Sequence, residues 1–157
     1  MKGNDNKVEG HANSILGSDN DIRGHLNSVF GKRNIVFGVK NDVEGDENGV
    51  LGEENVVLGK GNNVAGFENG ICGDENAVLG KGNMLEGSGN GIDGDFNKLM
   101  GDRNEIEGSF NMMGGDDNKV KGHENLVVGD RNIMEGSQNV GIGDETVVIG
   151  DQNVWKG

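Results

Sequence analysis

The chain has 157 residues, a formal net charge of −13, 31 glycines, no proline, no tyrosine and a single cysteine, Cys72. That length suits one domain; the acidic balance excludes the basic stripe that nucleic acid requires, and the lone thiol excludes an internal disulfide. No apolar run is long enough for membrane insertion and no secretory leader is visible at Met1, so the expectation is a cytoplasmic protein or a segment of a larger surface protein.

Glycine stands at every seventh position from Gly3 to Gly157, 23 times without exception. Asparagine follows three residues later in 21 of 22 units, with Thr146 as the substitute. Two residues further comes an apolar slot, filled by valine or isoleucine in 16 of 22 units. A fixed period of this kind makes residues 1–157 one repeat domain. Within Gly52–Gly59, the run Asn55 to Leu58 is short, β-branched and bounded by glycine and polar residues, which is a strand signal. Alternation turns Val57 inward and Val56 and Leu58 outward, and glycine makes the corner. A coiled coil is the rival reading of a heptad. It fails because it needs two apolar positions per heptad, and each glycine costs a helix about 1 kcal/mol.

The residues just before the glycines give the true period. In the C-terminal third they are Asp93, Met100, Glu107, Gly114, Lys121, Val128, Glu135 and Ile142, so charged and uncharged side chains alternate. Two heptads therefore make one coil of 14 residues, and about 11 coils stack into two parallel sheets. In chain order, the outward pairs of the first sheet are Lys7/Glu9, Asp21/Arg23, Ile35/Phe37, Gly49/Leu51, Asn63/Ala65, Ala77/Leu79, Gly91/Asp93, Glu105/Glu107, Lys119/Lys121, Ile133/Glu135 and Val147/Ile149. Those of the second are Ser14/Leu16, Ser28/Phe30, Asp42/Glu44, Val56/Leu58, Gly70/Cys72, Met84/Glu86, Lys98/Met100, Met112/Gly114, Leu126/Val128, Val140/Ile142 and Val154/Lys156. Residues 35–79 form an apolar patch on the first sheet and residues 98–142 another on the second. Contiguous apolar patches mark interfaces. Ile35, Phe37, Leu51, Leu79, Val56, Leu58, Met100, Met112, Leu126, Val128, Val140 and Ile142 are accordingly candidate interface residues, with a second copy of the chain as the expected partner. The terminal strands also invite end-to-end stacking, and Trp155 in the last core slot is a candidate plug.

The asparagines, Asn6, Asn13, Asn20, Asn27, Asn34, Asn41, Asn48, Asn55 and their successors, are expected to stack as ladders. Each carboxamide has one acceptor and two donors for its neighbours and the turn backbone. Thr146 cannot complete such a ladder and marks an expected weak point. Asp102, Asp116, Asp130 and Asp144 recur every 14 residues. Calcium suits a column of carboxylates, but bonding to turn amides is the preferred reading, and no metal is expected. His11, His25 and His123 share a turn column and read as a solvated turn. Phe96 and Phe110 share another, as an adhesive ridge or a shield over the corner. Cys72 has no activating base. Neither catalysis nor a cofactor is expected.

The heptads Gly45-Asp46-Glu47-Asn48-Gly49-Val50-Leu51 and Gly115-Asp116-Asp117-Asn118-Lys119-Val120-Lys121 resemble those of the ryegrass ice-recrystallisation-inhibition (antifreeze) proteins, and the resemblance covers the whole chain. It implies an all-β, left-handed parallel β-roll (β-solenoid) with asparagine ladders at both edges. More loosely, Asn76-Ala77-Val78-Leu79-Gly80 and Asn139-Val140-Gly141-Ile142-Gly143 are similar to motifs in the heads of trimeric autotransporter adhesins. Ice-binding members rely on outward threonine and serine, whereas the one threonine here lies in the asparagine slot. A structural, self-assembling β-roll is therefore the leading expectation, with ice binding as the alternative and an adhesin head segment as a further one.

Overall fold

Each heptad folds as strand, glycine corner, two-residue turn and asparagine, and every described heptad repeats it. In the computed structural model, residues 1–115, 118–129, 131–143 and 145–154 are described. Eleven strands form the first sheet: β1 (Lys7–Glu9), β3 (Asp21–His25), β5 (Ile35–Val39), β7 (Gly49–Glu53), β9 (Asn63–Phe67), β11 (Ala77–Lys81), β13 (Gly91–Asp93), β15 (Glu105–Glu107), β17 (Lys119–Lys121), β19 (Ile133–Glu135) and β21 (Val147–Ile149). Ten form the second: β2 (Ser14–Leu16), β4 (Ser28–Phe30), β6 (Asp42–Glu44), β8 (Val56–Leu58), β10 (Gly70–Cys72), β12 (Met84–Glu86), β14 (Lys98–Met100), β16 (Met112–Gly114), β18 (Leu126–Val128) and β20 (Val140–Ile142). All pairings are parallel, and each strand pairs with the one 14 residues away, as Val50 with Val64 and Val57 with Ile71. This is the 14-residue coil that the heptads predict and the left-handed β-roll that the family resemblance implies. Isolated bridges, Lys2 to Leu16 and Val140 to Val154, extend the second sheet at either end.

The core is one file of side chains from each sheet, such as Ile22, Val36 and Val50 from the first and Val29, Val43 and Val57 from the second. The slot holding Gly141 is filled from across the core. A Cβ there would lie 2.9 Å from Cε of Met134, which is fully buried. The long, flexible thioether occupies the volume that glycine leaves.

Gly66 shows why the corner excludes a side chain. Its φ is +142°, and a Cβ there would collide with the carbonyl oxygen of Gly80 one coil on. Stacked glycines thus set the close approach of successive corners. A second constraint is not visible in the heptad. Each described residue that precedes the asparagine slot also has positive φ, and 18 of these are not glycine, among them Glu54 (57°), Phe96 (56°) and Leu26 (60°). Side chains rarely adopt this conformation. The amides of 14 of them are tied to the previous coil, as when Glu54 N donates to Val39 O at 3.0 Å.

Residues one place after the glycines decide how wide the first sheet is. Where that residue is Asp, Ser or His, its side chain accepts the turn amide of the preceding coil: Lys32 N to Asp46 Oδ1 at 2.7 Å, Asp74 N to Ser88 Oγ at 3.2 Å, His11 N to His25 Nδ1 at 3.1 Å. At Val39, Glu53, Phe67 and Lys81 the backbones pair with one another instead. Strands β3 to β11 of the first sheet are five residues long for this reason, and all those of the second are three.

Candidate interaction faces

The asparagine columns run along both edges and are almost completely buried. Asn55 is representative. Its Nδ2 donates to Asn41 Oδ1 at 3.0 Å and to Gly66 O at 2.9 Å, and its Oδ1 accepts from Asn69 N at 3.1 Å and Asn69 Nδ2 at 3.0 Å. The same bonds link Asn6, Asn20, Asn34 and Asn48 on one edge, and Asn13, Asn27 and Asn41 on the other. The ladder loosens towards the C-terminus. Asn118 turns its Nδ2 to Gly114 O at 3.0 Å, and the buried Nδ2 of Asn132 has no partner among the described residues. Thr146 follows Asn132 in that column. Its amide still donates to Asn132 Oδ1 at 2.9 Å, while its hydroxyl stands 3.5 Å from Gly143 O. The loosened stretch thus coincides with the substituted position.

Both faces carry the expected apolar side chains. On the first, Ile35, Leu51 (59 % exposed) and Leu79 (54 %) project outward beside the half-buried Phe37. On the second, Val56, Leu58, Met100, Met112, Val128 and Ile142 are exposed, and Leu126 and Val140 half-buried. The faces differ in charge. Among the described residues, the second presents only Lys2, Asp42, Glu44, Glu86 and Lys98 at its outward positions. The first presents Lys7, Glu9, Asp21, Arg23, Asp93, Glu105, Glu107, Lys119, Lys121 and Glu135. Many of those are paired, as Lys119 Nζ with Glu105 at 2.9 Å and Lys121 with Glu107 at 3.8 Å. The hydrogen bond and charge of Glu105 hold the Lys119 ammonium above its usual range.

The turn columns are bonded rather than open. Asp102 Oδ1 accepts from Ser88 N at 2.7 Å; Asp116, Asp130 and Asp144 lie outside the described residues, as does Trp155. His11 and His25 stack with ring centroids 5.4 Å apart, and His123 Nδ1 accepts from Ser109 N at 3.2 Å. Phe96 and Phe110 stack at 5.3 Å. No group of three or more His, Cys, Asp or Glu among the described residues could hold a metal ion. Cys72 is free and exposed.

Two untwined features, a 14-residue coil and paired asparagine columns, define the class: an asparagine-laddered parallel β-roll. The family model for the grass antifreeze beta roll matches residues 1–80 and 59–143. The chain belongs to that family. No curated protein matches it.

Proposed function

We propose that this protein binds ice and restrains the growth of ice crystals. The observation that carries the reading is membership of the grass antifreeze β-roll family across residues 1–143. The ice-facing surface in this reading is the second sheet. Charged groups hold liquid-like hydration tightly, and among the described residues that face presents five of them where the first presents ten. Its rungs are about 4.8 Å apart, so apolar side chains recur on a rigid, regular grid. The scarcity of threonine counts against a hydroxyl-rich ice face, and apolar side chains take that place here. The protein acts as a binder, without catalysis.

The test is ice grain growth in annealed frozen films. Wild type should hold grains small at micromolar concentration. Leu126→Lys/Val128→Lys/Val140→Lys/Ile142→Lys should lose the effect while keeping its β-type circular dichroism. Grain growth equal to that in albumin would overturn the proposal.

A second reading, assembly of copies through an apolar face, is favoured by the exposed Ile35, Leu51 and Leu79 on the more charged sheet, away from the proposed ice face.

A further inference from the structure

The geometry points to an antiparallel homodimer through the first sheet, with β7 of each copy facing β9 of the other. This rests on the assembly reading and adds its face and register. The apolar patch occupies four consecutive rungs, β5, β7, β9 and β11, and these are among the five-residue strands that widen the sheet. Small residues, Gly49, Ala65 and Ala77, make a shallow groove between the larger Phe37, Leu51 and Leu79.

A two-fold axis along the strand direction, between β7 and β9, lays this patch on itself. Ile35 then meets Ala77 of the second copy, Phe37 meets Leu79, and Leu51 meets Ala65. Ile35 and Leu51 thus face the small alanines, and Phe37 and Leu79 pack against each other at the rim. The next rung outward sets Arg23 against Asp93. Asp93 has an outward carboxylate with no ion pair among the described residues, whereas Arg23 lies over Phe37 at 4.9 Å with only long contacts to Glu9 (3.8 Å) and Asp21 (3.6 Å). One rung further, Lys7 meets Glu105. Glu9 meets Glu107, whose charge Lys121 offsets at 3.8 Å.

The alternatives fit less well. A parallel pair about the roll axis would set Glu105 against Glu107 and Lys119 against Lys121, like charge on like. A shift of one rung would press Phe37 onto the Asp93 carboxylate in one direction and set Glu9 against Asp93 in the other. Five rungs about 17 Å wide and three about 10 Å wide, spaced at about 4.8 Å, give roughly 550 Å² per copy. That is below the roughly 800 Å² per partner of a standard stable interface, so the dimer should dissociate on dilution.

Sedimentation equilibrium on the full chain tests this. Wild type should show a concentration-dependent monomer–dimer equilibrium. Arg23→Asp and Asp93→Arg should each weaken it about tenfold or more, since each contact occurs twice per dimer. The double variant Arg23→Asp/Asp93→Arg should restore it. Both positions of this cycle are on the surface, and circular dichroism checks that each of the three variants folds. A dimer whose affinity the double variant does not restore overturns the register and leaves assembly standing. A wild type that stays monomeric at about 100 µM, roughly a hundredfold above a micromolar Kd, overturns both. Neither outcome bears on ice binding, which uses the other face.

Discussion

One carboxamide at Asn55 serves three successive coils. It donates to Asn41 and to the corner glycine of the next coil, and accepts twice from Asn69. All of this happens without solvent, because Asn55 is fully buried. A net hydrogen bond contributes about 1 kcal/mol, and an orphaned buried partner costs more. Asn55→Ala should therefore destabilise the roll by roughly 3–5 kcal/mol, read from the denaturant midpoint; a loss below about 1 kcal/mol would remove the ladder from the account. Thr146 is the converse. Thr146→Asn supplies an Nδ2 donor to Asn132 Oδ1, and should raise stability by about 1 kcal/mol. An unchanged midpoint would mean that the column has already ended there.

At the scale of the coil, the core is a matter of facing volumes. Met134 fills the slot that Gly141 leaves open. Gly141→Val alone should overpack that coil and cost about 1–3 kcal/mol. Gly141→Val/Met134→Val should recover most of it, which a double-mutant cycle measures directly; additive losses would show that the two side chains do not share a space. The turns are tied by charge. Arg33 hydrogen-bonds to Glu47, and with Lys60 beyond it holds that carboxyl below the usual range. Lys40 does the same for Glu54, at 2.8 Å. A lowered folded-state pKa means stability that is fully present above the ordinary Glu value, near 4.3, and lost as pH falls through the lowered one. The melting temperature should thus drop as pH falls below about 4, by a modest amount because these pairs are exposed and solvent-screened. Removing Arg33 and Lys40 together should flatten that part of the profile.

For the whole molecule, the strict heptad made the roll, its 14-residue coil, the valine file and the asparagine ladders legible from the chain alone, because each is a column repeated with one residue type. The rest depends on positions whose residue types vary. The left-handed residue before each asparagine carries Glu, Phe, Arg or Leu, so no residue preference betrays it. The five-residue strands follow from Val39, Glu53, Phe67 and Lys81 pairing through their backbones where other coils use an Asp, Ser or His acceptor. On the first sheet that signal was present in the sequence, as short acceptors after some glycines and not others, whereas on the second the strands stay short even at Lys32 and Lys60. The apolar faces were legible as patches, but what they meet was not, since exposure alone names no partner. Ranking assembly above ice binding rested on missing threonine, and family membership now weighs at least as strongly for ice. Growing an ice crystal slowly through a solution of the chain, labelled at its N-terminal amine to leave the apolar patch of residues 98–142 untouched, addresses binding itself. The label should enter the ice and concentrate on particular crystal planes. Exclusion into the remaining liquid, at the level of an albumin control, would contradict the account.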